Sequence, residues 1–195
     1  MSPSIDSITA ACGVIVHPEA DSGFRHLATT WQVAAGEWLC AWNDEDPPPT
    51  GIYLIAAHSG AIAAIESWEQ DRGIAGFRAQ AEASTLPIAS DQEGLNKRQL
   101  LMAVGYPSVI NHPSFSIHRG SLTPERYHPY LCPWFIEGHL ALYTAEEGWL
   151  TGQSYHGMLG GPVVNEEGRV VGLLGDHGHQ APDIPPLAPF RRISV

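Results

Sequence analysis

Gly157-Met158-Leu159-Gly160-Gly161-Pro162-Val163-Val164-Asn165-Glu166-Glu167-Gly168-Arg169-Val170-Val171-Gly172-Leu173 is the stretch whose reading decides the fold. Its second part has the composition of a hairpin. Two apolar runs, Pro162–Asn165 and Arg169–Leu174, flank Glu166-Glu167-Gly168, a short glycine-containing connection of the kind that joins antiparallel strands. Its first part is a loop in which Gly157, Gly160 and Gly161 permit a backbone path closed to other residues.

The same pattern recurs outward from this stretch. Cys12–Val16 reads as a short strand, and Trp31–Val33 and Glu37–Trp42 alternate around a turn at Gly36. Ile52–Ala57 is an apolar run after Pro47-Pro48-Pro49. Gln99–Val104 runs into Gly105-Tyr106-Pro107, and Phe115–Arg119, Trp134–Ile136 and Leu140–Thr144 continue the series. Ala61–Gln70 alone reads as a short helix, with Ile62, Ile65 and Trp68 on one side. Ala181–Val195 holds four prolines and is expected to be an extended tail or a packed arm. Short strands, 20 glycines, 16 prolines and little helix predict an all-β sandwich or barrel.

Composition narrows the function. A length of 195 residues suits one large domain or a close pair of small barrels. The net charge of −11 repels phosphate backbones, which excludes nucleic acid as a direct partner and leaves a basic protein open. The same charge also serves solubility. Three cysteines, Cys12, Cys40 and Cys132, form no CxxC and no even set, so a disulfide framework is not expected and a reducing compartment is. Met1-Ser2-Pro3-Ser4-Ile5-Asp6 has no basic leader, and no apolar run approaches the roughly 18 residues of a membrane span. A cytoplasmic, bacterial-style protein without a membrane partner is the expectation.

Three local patterns occur in a fixed order: Leu54-Ile55-Ala56-Ala57-His58, then Ala103-Val104-Gly105-Tyr106-Pro107, then the glycine loop and hairpin. In this order the chain resembles the trypsin-like (chymotrypsin-fold) serine peptidases, from about Trp38 to Gly175. The resemblance implies two β-barrels with little helix, about 1–90 and 91–180, followed by the proline-rich tail 181–195. It also implies that His58 stands at the general-base position and Leu159 at the nucleophile position. Amides at Gly157 and Leu159 would form the oxyanion loop with Gly160 and Gly161. The family's aspartate is echoed best by Gly73-Ile74-Ala75-Gly76-Phe77, which puts Gly73 there, or Asp71 if the register slips. An isobutyl group has no proton to give and no lone pair to attack with, so Leu159 cannot act as the serine does.

Each candidate replacement nucleophile also has a structural reading. Ser59 adjoins His58, but successive strand residues face opposite ways. Ser154 precedes the loop, with His156 two residues on. Cys40 and Cys132 match no nucleophile position and read as ordinary free cysteines. Asp176-His177-Gly178-His179 and the histidines 112, 118 and 128 lack the spacing of a zinc site, so no metal and no cofactor are expected. The six tryptophans read first as core and second as interface.

The resulting expectation is an inactive serine-protease homologue, a pseudoprotease whose remaining cleft serves as a protein-binding or regulatory module. A place in a bacterial signalling or defence protease complex, including a CRISPR-associated one, follows by family analogy alone. An active hydrolase with a relocated nucleophile and a purely structural subunit are the alternatives. The oligomeric state is not legible.

Overall fold

In the computed structural model, residues 4–19, 23–42, 48–90, 95–107, 131–175 and 186–193 are described. The chain opens on one helical turn, α1 (Ile5–Thr9), capped by Ser4, whose hydroxyl accepts from the Ser7 amide at 3.1 Å. The rest is strand and loop.

The first half contains β1 (Cys12–Glu19), β2 (Gly23–Ala34), β3 (Glu37–Ala41), β4 (Tyr53–Ala56), β5 (Ile62–Ala64), β6 (Ser67–Asp71) and β7 (Ile74–Arg78). They form one antiparallel sheet in the order β5-β4-β1-β2-β3-β7-β6. Its two edge strands, β5 and β6, are consecutive in the chain. Three steps of 3.8 Å separate Ala64 from Ser67, so the sheet must curl until its edges come within about 11 Å. The second half is a closed barrel of β8 (Leu100–Gly105), β9 (Trp134–Tyr143), β10 (Glu147–Thr151), β11 (Pro162–Val164), β12 (Val170–Leu174) and β13 (Leu187–Arg192), in the order β10-β13-β12-β11-β8-β9. The all-β, two-barrel architecture expected from the sequence is therefore the observed one.

Three local expectations change. Ala61–Gln70 is not a helix but β5, a corner and β6. The hairpin between β6 and β7 turns on Arg72 and Gly73, both at positive φ (48° and 78°), which sets the register Trp68↔Phe77. The Trp68 and Phe77 rings then stack at 5.6 Å, and this cross-strand contact overrides the helical spacing of the isoleucines. Trp134–Ile136 and all of Leu140–Thr144 but Thr144 itself are two parts of the continuous strand β9, which passes the Thr151 carbonyl so closely at Gly138 that a Cβ would collide. The segment read as a tail supplies β13, a wall of the closed barrel with Phe190 1% exposed. The expected strand Phe115–Arg119 lies outside the described residues.

Each half has its own core, and a third cluster joins them. Ile8, Cys12, Val14, Trp31 and Ile55 from the first half meet Val104, Tyr106, Val164, Val170 and Leu173 from the second. The connecting segment adds hydrogen bonds to both, from Ser84 N to Ala10 O (2.9 Å) and from Val170 N to Pro87 O (2.8 Å).

Candidate functional site: the glycine loop between the halves

The loop 157–161 lies where the two halves meet. The β11–β12 hairpin behind it forms as the sequence predicts. Gly168 takes a φ of 79°, and the Asn165 Oδ1 accepts from the amides of Glu167 (3.2 Å) and Arg169 (2.9 Å). Ahead of the hairpin, glycine is required twice. A Cβ on Gly161 would strike the Val104 carbonyl of β8, and one on Gly160 (φ 87°) would strike the Thr29 carbonyl of β2. The loop is thus wedged between a strand of each half. Met158 anchors it from below, fully buried in the barrel core.

Strand β2 does most of the holding. The Thr29 amide donates to the Leu159 carbonyl at 2.8 Å. The Thr29 hydroxyl donates to the Gly157 carbonyl at 2.6 Å and accepts from the Tyr106 amide at 2.9 Å. Three residues upstream, the buried His26 imidazole also hydrogen-bonds to the Gly157 backbone. Burial pushes its pKa down to about 4, against the opposing pull of the Gly157 and Ala28 backbone groups. The imidazole beside this loop is therefore neutral near pH 7.

The Leu159 side chain packs, half-buried, against the cluster that joins the halves. Among the described residues, the amides of Gly157 and Leu159 meet no acceptor. Beside the loop, Tyr155 and Trp134 form an edge-to-face pair at 5.1 Å, with 40% and 49% of their surfaces exposed.

The other residues singled out in the sequence fall elsewhere. His58 is exposed in the turn between β4 and β5, at the end of the sheet where β1 begins, since the adjoining Ala57 amide donates to the Cys12 carbonyl at 3.0 Å. Asp71 and Gly73 lie at the opposite end, where Ile74 pairs with both Asp71 and Ala41. Asp71 is fully solvated, 4.0 Å from Arg72, and Gly73 faces the Arg191 side chain. The fold therefore does not bring His58 together with Asp71 or Gly73. The Leu159 carbonyl accepts from β2, not from the His58 turn.

Ser59 is occupied structurally, donating to the Glu82 carbonyl at 3.0 Å. The Ser154 hydroxyl is buried without a hydrogen-bond partner among the described residues. Cys40 lies directly under Gly160, but burial pushes its thiol, like that of Cys12, well above the usual range, away from the nucleophilic thiolate. Cys132 is exposed. Residues 108–130 and 176–180, which carry the histidines considered for metal, lie outside the described residues. Among the described residues, no three histidine, cysteine or acidic side chains are grouped to hold a metal ion, and no helix is long and apolar enough to cross a membrane.

Sequence reasoning missed the loop's actual support, Thr29 and His26. Leu27-Ala28-Thr29-Thr30-Trp31 is rich enough in β-branched and aromatic residues to be read as strand. Nothing local in it shows that it packs on residues 128 positions away.

Comparison with known proteins agrees with this architecture. No curated protein matches the chain. A solved structure of a Glu endopeptidase in complex with MPD superposes over 100% of this chain and 90% of its own, with a TM-score of 0.69 at 10% identity, a likeness of fold. The model of the trypsin-like peptidase domain matches residues 12–173. The chain belongs to the trypsin-like peptidase family.

Proposed function

We propose that this chain is a pseudoprotease, a trypsin-like domain that binds a protein segment and does not cut it. One observation carries the reading: the residue held at the centre of the glycine loop is Leu159, which has neither a nucleophilic atom nor an ionisable proton. Its surroundings support the same conclusion. The nearest buried imidazole, His26, engages the Gly157 backbone, and the Cys40 thiol beneath the loop is held protonated by burial. The loop also offers features suited to holding a peptide. Gly157 and Gly160 take positive φ (91° and 87°), two amides have no acceptor among the described residues, and an exposed aromatic pair lies beside them. A regulatory or partner-holding role, in a bacterial signalling or defence complex, would use these features.

The test uses a fluorophosphonate probe and a panel of peptide substrates on the native chain and on Leu159→Ser. No labelling and no hydrolysis by the native chain is the expected result, and labelling of any native serine, Ser154 included, overturns the reading. Leu159→Ser is expected to gain no turnover, because the imidazole beside the loop, His26, is engaged with the Gly157 backbone and weakly basic; a gain would show that a base is in place after all.

A further inference from the structure

The face of the first-half sheet turned away from its own core carries a groove whose lining includes no residue of the loop between the halves. Strand alternation builds it. Trp38 and Cys40 of β3, Ala75 and Phe77 of β7 and Trp68 of β6 turn into the core, so their neighbours turn out. Register then aligns two rows across the three strands: Leu39, Gly76 and Glu69 in one, and Glu37, Arg78 and Ser67 in the other. Gly76 has no side chain, and the nearest atom to the place of its Cβ is the Leu39 Cδ2 at 3.6 Å, leaving a notch with an apolar wall. The groove holds about 650 Å³, with Val33 and Leu39 on its floor and Glu66 and Glu69 on its rim. That size lies within the range of ligand-binding clefts, roughly 300–1,000 Å³.

The protein shows what chemistry suits this face. Arg78 and Glu37 both line it, and the Arg78 guanidinium meets the Glu37 carboxylate at 3.3 Å. Glu66 and Glu69 have no such cation among the described residues. An arginine from outside would lay its apolar stem along Leu39 and Gly76 and present its planar fork to these two carboxylates. The net charge of −11 would draw such a partner in.

We propose that this groove docks an arginine-bearing segment of a protein partner, with Glu69 and Glu66 as the anion pair and the Gly76 notch as the seat of the side-chain stem. No residue of the loop 157–161 lines this groove, although Val33 and Leu39 pack, as Leu159 does, on the cluster that joins the halves, and the proposal goes beyond the pseudoprotease reading.

The experiment is fluorescence anisotropy of a fluorescein-labelled peptide of alternating valine and arginine, titrated with the full chain at about 0.15 M salt, where loose surface attraction is largely screened. Saturable binding is expected. Combining Glu66→Gln with Glu69→Gln is expected to weaken it about tenfold or more, the equivalent of one charge-assisted hydrogen bond. Combining Glu166→Gln with Glu167→Gln removes the same charge from the β11–β12 turn and is expected to leave binding unchanged. Gly76→Val fills the notch without altering charge and is expected to weaken binding as the rim variant does, with circular dichroism confirming the fold. Equal losses from the two double variants, or no binding at all, overturn the proposal. Leu159→Ser is expected to leave peptide binding untouched, so failure of this inference is distinguishable from failure of the pseudoprotease reading.

Discussion

The Thr29 hydroxyl accepts from the Tyr106 amide and donates to the Gly157 carbonyl, so one small side chain ties a strand of the first half to two places in the second. Thr29→Val keeps the shape and removes both bonds, leaving the buried Tyr106 amide unmatched and the Gly157 carbonyl with His26 as its remaining donor. The expected cost is about 2–3 kcal/mol, read from urea unfolding midpoints. His26, on the same strand, makes the loop sensitive to acid. Its pKa is about 4 in the fold against 6.5 when free, so between these values the unfolded chain binds a proton that the folded chain refuses. Stability from this group is therefore complete above pH 6.5 and lost as pH falls towards 4. Between pH 7 and pH 5 the loss is about 2 kcal/mol, and His26→Gln is expected to flatten that part of the pH–stability curve. That Leu159 carries no nucleophilic atom was legible without any structure, because a side chain's chemistry is local. The roles of Thr29 and His26 were not, because they depend on which strand lands on the loop.

At the scale of elements, β13 shows how a composition rule fails. Four prolines suggest a segment that cannot pair, yet Leu187–Arg192 pairs with both β10 and β12. Phe190 fills the barrel there, against Gly148 and Gly172, where any Cβ would strike its ring. Two glycines on neighbouring strands and one phenylalanine thus form a single packing unit. Phe190→Ala is expected to cost about 3–5 kcal/mol by cavity formation, read from the thermal midpoint. The β11–β12 hairpin and β8 were readable from alternation and turn residues. The β5–β6 corner was not, since Ile62, Ile65 and Trp68 fit a helical stripe equally well until β7 supplies a partner for Trp68.

For the molecule as a whole, the cluster shared between the halves makes them one unfolding unit. Four tryptophans, Trp31, Trp38, Trp42 and Trp68, lie in the first half and two, Trp134 and Trp149, in the second. Tryptophan fluorescence and backbone circular dichroism are expected to report one coincident transition. Val104→Ala, at the centre of the shared cluster, is expected to lower it by about 2 kcal/mol without splitting it; two resolved transitions would show that the halves unfold separately. What the sequence determined by itself was the class of fold, the hairpin, the glycine loop and the absence of a hydroxyl at position 159, all of which follow from residue type and short-range periodicity. The tertiary structure alone decided that β2 holds the loop, that His58 and Asp71 lie at opposite ends of a sheet, and that the last strand closes the barrel. Those outcomes depend on strand order and register, which are set by packing between residues far apart in the chain.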